Sequence, residues 1–151
     1  MMHAGRETYR HLAEYNRRAN GELYAAVAAL TDRARKRDDR TWFGSLQGLL
    51  NHALVGDMMW LRRFTPIHPA SKVLADPRLA PEDLAWNRLL REDFEEMRGE
   101  RAYVDDRIID WFDECPEERY DTLFEYLDSA GNVRHARADR AQGIPADAGH
   151  F

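Results

Sequence analysis

The chain has 151 residues, of which 44% are hydrophobic and 32% charged, and its formal net charge is −5. This length predicts a single globular domain, 1–151, that can bury a core. The acidic balance argues against a nucleic-acid partner, because such proteins carry a basic face that neutralises phosphates. The chain has no run of about 18 apolar residues, and its opening "MMHAGRETYRHLAEY" has no apolar signal-peptide core. We therefore expect a cytoplasmic protein with no membrane partner.

The first predicted helix covers residues 6–36. Its apolar side chains recur at steps of three and four, which places them along one helical face. The residues of that face are Tyr9, Leu12, Ala13, Asn16, Ala19, Leu23, Ala26, Val27 and Leu30. Asn16 and Asn20 form an i,i+4 amide pair. Because buried amides need hydrogen bonds, we expect this pair to hold a loop, to cap a neighbouring helix or to contact a ligand.

The second predicted helix follows Gly44, with the Ser45 hydroxyl as its N-cap, and its apolar pattern runs to Phe64. It contains the stretch "LLNHALVGDMMWLRRF", residues 49–64, in which His52 lies inside an otherwise apolar run. Two interpretations of His52 stay open at this point. It is either a metal ligand or a core histidine with a satisfied hydrogen bond.

Three prolines in residues 65–80 predict a connector rather than a long helix, with His68 as an exposed loop histidine. A third helix is predicted from Pro81 until the chain reaches Pro116. Its stripe steps by four and three, as in bundle packing. The stripe consists of Leu90, Phe94, Met97, Arg101, Val104, Ile108 and Trp111. Arg101 interrupts it and is expected either to snorkel or to form an internal ion pair.

Residues 120–135 predict a short β-hairpin, because apolar side chains flank the Gly-containing segment "DSAGN". The tail, 136–151, is polar and Ala-rich and is broken by Gly143, Pro145 and Gly149. The predicted fold class is therefore all-α: an up-down bundle of three long helices, with the fourth helix stunted or absent.

Two hypotheses explain this atypical ending. The gene is truncated or frameshifted near residue 135, or a homodimer covers the apolar groove that a missing helix leaves exposed. The single cysteine, Cys115, excludes an intrachain disulfide, and its acidic neighbours predict an inert thiol.

A metal site in a helix bundle needs at least three His or carboxylate ligands that project from facing helices. On the helix of His52 the positions four residues away are Gly48 and Gly56, so further ligands must come from elsewhere. The six histidines contain no H-x-x-x-H pair. The nearest substitute is His135 with Asp139, an H-x-x-x-D pair that requires this stretch to be helical.

Two motifs resemble the DinB-like family of damage-inducible four-helix-bundle proteins. "YNRRANGELYAAVAALTD", residues 15–32, is similar to its Y-N-x-x-A-N opening. "FGSLQGLLNHALVGDMMWLRRF", residues 43–64, is similar to its second-helix motif, F-G-S-x-x-x-x-L-N-H-x-x-x-x-D-x-x-W. The resemblance covers roughly 6–135, and the predicted hairpin suits the family's link between its third and fourth helices.

The resemblance implies a mononuclear metal site held by three histidines, one of which corresponds to His52. The other two belong to an H-x-x-x-H motif on the family's fourth helix, which this sequence lacks. Asp57 and Trp60 match the family pattern and are expected, with Asn16 and Asn20, to shape the pocket.

The function implied by the resemblance is that of a metal-dependent hydrolase or a thiol-dependent transferase with an incomplete metal site. Its cofactors would be zinc or nickel and a low-molecular-weight thiol. The alternative is a non-catalytic, metal-free helical-bundle protein that acts through dimerisation or by binding a small-molecule ligand.

Overall fold

The computed structural model describes residues 5–138. It contains three long helices, α1 (Arg6–Ala28), α3 (Leu46–Arg63) and α4 (Phe94–Glu114), and a short helix, α2 (Asp32–Lys36). An antiparallel hairpin, β1 (Leu123–Leu127) and β2 (Val133–Arg137), follows α4. This confirms a mainly helical bundle with three long helices and a hairpin. Of the predicted tail, 136–151, the residues after 138 lie outside the described part of the chain.

Helix α4 is the centre of the bundle, because it packs against both α1 and α3. Met58 of α3 and Met97, Val104 and Trp111 of α4 are fully buried in the shared core. At one end of α1, the ring of Tyr9 stacks on Phe112 of α4 at a centroid distance of 5.7 Å. Among residues 5–138, no helix has both the length and the apolar character needed to cross a membrane.

The first predicted helix is wrong in its length, since α1 ends at Ala28 and α2 begins separately at Asp32. The Thr31 hydroxyl oxygen caps α2 by accepting a hydrogen bond from the Ala34 N–H at 3.1 Å. The apolar face is only partly buried, because α4 covers one side of α1. Leu12 and Leu23 lie outside that contact and are 51% and 45% exposed.

The second predicted helix is confirmed by α3. The Ser45 Oγ accepts a hydrogen bond from the Gly48 N–H at 2.9 Å, as expected of an N-cap. The connector is also confirmed, with 3-10 turns at Thr65–Ile67 and Pro77–Leu79.

His68 is not the exposed loop histidine that the sequence predicted. Its side chain is only 20% exposed and its Nε2 lies 3.9 Å from the Glu114 carboxylate. Glu114 also accepts hydrogen bonds from the Ser71 hydroxyl at 3.0 Å and the Val73 N–H at 3.1 Å. These contacts attach the connector to the end of α4 and enclose His68 between them.

The third long helix begins later than predicted. Asp93, rather than the region of Pro81, is its N-cap, and its carboxylate accepts a hydrogen bond from the Glu96 N–H at 2.9 Å. The residues before it form turns. They are held on α3 by the side chain of Asn51, whose Oδ1 accepts a hydrogen bond from the Leu90 N–H at 2.8 Å.

The hairpin turns at Gly131, whose φ of 82° is a conformation that favours glycine. Asp128 accepts hydrogen bonds from the N–H groups of Ala130 at 3.0 Å and Asn132 at 2.9 Å. A side-chain hydrogen bond from Arg134, followed by these backbone bonds, lowers the pKa of Asp128 to about 2. Just before the hairpin, burial raises the pKa of the Cys115 thiol to about 11, which agrees with an inert thiol.

Arg101 forms the internal ion pair that was one of its two expected roles. It is 4% exposed. Its Nη2 lies 2.6 Å from Oδ2 of Asp57 on α3, and its Nε donates to Oδ1 of Asp105 at 3.0 Å. Asn20 of α1 donates to Asp105 Oδ2 at 3.1 Å. A single polar network therefore joins all three long helices.

Replacing Arg101 with methionine leaves two carboxylates near the core without their cation. We expect Arg101→Met to lower the free energy of unfolding by about 3–5 kcal/mol, the cost of breaking a buried pair. Urea denaturation followed by circular dichroism measures this loss.

Arg17→Met is the matched control, because Arg17 joins α1 to Asp106 of α4 in an exposed ion pair at 3.0 Å. Such pairs contribute about 1 kcal/mol or less. Equal losses in the two variants would show that the buried network contributes no special stability.

Candidate functional site

Three aromatic rings surround the imidazole of His52. Its ring centroid lies 5.2 Å from Trp42, 5.2 Å from Phe43 and 5.4 Å from Trp86. His52 is on α3 and only 6% exposed, whereas Trp42 is 75% exposed. The imidazole is therefore an inner wall, and Trp42 forms the outer rim beside it.

The loop before α3 presents Trp42 and Phe43 in a fixed turn. Asp39 Oδ1 accepts hydrogen bonds from the N–H of Thr41 at 3.0 Å and from its hydroxyl at 2.6 Å. Gly44 has a φ of 80°, a conformation that L side chains rarely adopt, and its N–H donates to the Thr41 carbonyl at 3.1 Å. These constraints turn the chain so that both aromatic residues face His52.

Glycine is also required at position 48, where the loop approaches α3. A Cβ at Gly48 would lie 2.0 Å from the carbonyl oxygen of Phe43, far inside van der Waals contact. The missing side chain therefore allows the backbone of Phe43 to lie against the first turn of α3, one helical turn before His52.

A second wall is the segment that carries Trp86. Asn51 Nδ2 donates to the Arg88 carbonyl at 2.9 Å, and Gln47 Nε2 donates to the Glu92 carbonyl at 3.1 Å. Gln47 and Asn51 are one helical turn apart, so the same face of α3 holds this segment at two points.

Together these walls enclose a cavity of about 330 Å³. Its lining residues are Trp42, Phe43, Gly44, Ser45, Gly48, Asn51, His52, Trp86, Asn87, Arg88 and Leu89. The volume lies at the lower end of the range typical of small-molecule sites. Among these described lining residues there is no carboxylate, and Arg88 is the charged one.

Burial lowers the pKa of the His52 imidazole from its ordinary value. The protonated form is disfavoured because aromatic rings replace the water that would solvate its charge. His52 is therefore neutral at neutral pH, when its two nitrogens offer one donor and one acceptor.

The second predicted metal position, His135, lies in strand β2. Its side chain is 69% exposed and its Nδ1 is 3.7 Å from Glu125 on β1. It does not line the His52 cavity. The H-x-x-x-D pair was predicted on a helix, whereas His135 lies in a strand. Asp139 lies outside the described residues.

Within residues 5–138, no group of three or more His, Cys, Asp or Glu side chains is arranged to hold a metal ion. The donors described here therefore do not fit the three-ligand centre that the sequence resemblance implies.

The four residues expected to shape the pocket do not line the His52 cavity. Asn20 and Asp57 belong to the Arg101 network. Trp60 packs on Tyr126 of the hairpin at a centroid distance of 5.0 Å, and Asn16 is exposed on α1. In the described structure, Asn20, Asp57 and Trp60 shape the bundle rather than this cavity.

The aromatic walls, Trp42, Phe43 and Trp86, were not predicted from the sequence. Two adjacent aromatic residues in an otherwise polar turn were the available signal for Trp42 and Phe43. Trp86 had no such signal, because its predicted position was inside a helix.

The three long helices, the hairpin and the motif histidine on the second long helix define a bundle of the DinB type. The chain matches the DinB family model over residues 1–135, and it belongs to the DinB family. Searches of curated proteins and of solved structures found no match.

The close approach at Gly48 gives a stability prediction. We expect Gly48→Ala to destabilise the fold by about 1–3 kcal/mol, a typical cost of overpacking, and to change the near-ultraviolet circular dichroism of the tryptophans. The matched control is Gly21→Ala on α1, where a Cβ has open space. It should be stabilised by up to about 1 kcal/mol through helix propensity. If Gly48→Ala is as stable as Gly21→Ala, Phe43 does not hold the loop position described here.

The lowered pKa of His52 predicts a pH dependence of stability. The unfolded chain takes up a proton near the ordinary value of about 6.5, before the folded chain does, so stability falls as pH drops below that value. Titration of the His52 ring by NMR, assigned with His52→Gln, should give a pKa below 6.5, and the variant should lose part of the acid sensitivity. A measured pKa at or above the ordinary value would contradict the buried neutral imidazole.

Proposed function

We propose that this DinB-family protein binds a small organic molecule in the cavity around His52. The observation that carries the proposal is the enclosure of a concave space by three aromatic rings and one imidazole. Apolar concave sites with a few polar groups are where proteins bind small ligands. This is a binding function, and it needs no metal.

The preorganisation of the cavity walls supports this proposal. Its two walls outside α3, the Trp42 loop and the Trp86 segment, are each held by side-chain hydrogen bonds in the absence of a ligand. Preorganised walls reduce the entropy lost on binding, so a modest contact area suffices for affinity.

A metal-dependent hydrolase or a thiol-dependent transferase is the second candidate. It is favoured by the place of His52 on α3, where the family resemblance puts a metal ligand. Zinc or nickel and a low-molecular-weight thiol would be its cofactors. It requires further ligands, because residues 5–138 contain no three-donor group.

Binding is tested with neutral indole as the probe, followed by two-dimensional NMR of the full chain. We expect shifts in the His52 and Trp86 side-chain signals. Trp42→Ala should weaken binding by about tenfold, since stacking on an aromatic side chain contributes about 1–3 kcal/mol. Leu123→Ala is the control, because Leu123 is also 73% exposed but lies on the hairpin. No shift at His52, or equal weakening in both variants, would refute the proposal.

Elemental analysis separates the two candidates. The full chain, purified after growth with added zinc and nickel, should contain well under one metal ion per chain, and His52→Ala should not change that content. About one ion per chain, lost in His52→Ala, would favour the metal-dependent enzyme.

A further inference from the structure

We propose that the His52 cavity selects planar aromatic molecules that carry an anionic group, with the ring among Trp42, Phe43 and Trp86 and the anion at Arg88. This inference rests on the proposed binding function and names its ligand class. Three features of the lining lead to it: the aromatic walls, the polar groups already in use, and the charge at the rim.

The walls favour a flat ring. Trp42 contacts His52 and still exposes 75% of its surface, so a ligand in the cavity can cover a large part of its indole. Trp86 contributes a second indole, whose ring centroid lies 5.4 Å from that of the imidazole. Aromatic rings prefer offset or edge-to-face contact with other rings, which gives a planar ligand an advantage over an aliphatic one.

Two polar side chains of the lining, Asn51 and Ser45, are already engaged. Both amide atoms of Asn51 bond to backbone, with Nδ2 donating to the Arg88 carbonyl and Oδ1 accepting from the Leu90 N–H. The Ser45 hydroxyl caps α3 by accepting from the Gly48 N–H. These groups therefore hold the walls in place, and a ligand gains little from a neutral polar substituent near them.

The charge of the lining opposes a cation. Aromatic cages can bind ammonium groups, but the described lining carries the positive charge of Arg88 and no carboxylate, and a like charge repels a cation. Arg91, three residues later, is paired with Glu100 at 3.4 Å and does not line the cavity. Arg88 is exposed and lines the cavity, and Asn51 fixes its backbone by donating to its carbonyl. A guanidinium fork binds carboxylates and related anions in two parallel hydrogen bonds.

Three probes with one ring system separate these contributions: indole-3-acetate, indole and tryptamine. Their affinities for the full chain are measured by NMR titration at low ionic strength. We expect indole-3-acetate to bind about tenfold more tightly than tryptamine, with indole between them. The preference should shrink as salt is added, because the Arg88 contact is at the surface.

Arg88→Gln should reduce indole-3-acetate to the affinity of indole and leave indole unchanged. Arg33→Gln is the control, since Arg33 is exposed on α2 and does not line the cavity. The comparison of the three probes uses the unmodified protein, so it decides the matter even if Arg88→Gln folds poorly.

The outcomes distinguish a failure of the anion preference from a failure of small-molecule binding. Binding of all three probes with equal affinity, or tighter binding of tryptamine, would overturn the anion preference and leave small-molecule binding in place. The absence of any shift at His52 with all three probes would overturn both.

Discussion

The buried guanidinium of Arg101 is the interaction on which the rest of this structure depends. Burial by itself would lower the pKa of Arg101, but Asp57 and Asp105 outweigh that effect and the net shift is upward. An arginine placed in a core without such partners would be very costly. Two carboxylates from two helices, with Asn20 from a third, make this position tolerable and fix the helices relative to one another.

The network also determines where His52 lies. Five residues along a helix correspond to a rotation of about 140°. Because Asp57 faces α4, His52 is turned away from α4 and towards the two aromatic walls.

Much of the fold could be predicted because its signals are local. The start of α3 at Ser45, its end near Phe64 and the hairpin around Gly131 each depend on neighbouring residues, and each was predicted correctly. The start of α4 was not. Pro81 and the acids after it resemble a helix N-terminus, yet hydrogen bonds from Gln47 and Asn51 hold the following segment as turns. Those contacts are distant in sequence and have no local pattern.

The site was less predictable than the fold, for a related reason. A cavity is formed by residues from separate loops, so the sequence indicated His52 but not the residues around it. His52 was weighed as a metal ligand or a core histidine. The structure buries it among three aromatic rings, and its role as a metal ligand stays a prediction. Family membership is established by the match over residues 1–135. The metal centre lacks a three-donor group within residues 5–138, and the homodimer stays a prediction.

Intermolecular nuclear Overhauser effects between bound indole and the full chain would test the central claim most directly. We expect effects from the indole protons to the ring protons of His52, Trp42 and Trp86. Effects confined to another surface, such as the groove beside Arg62 and Tyr126, would contradict it.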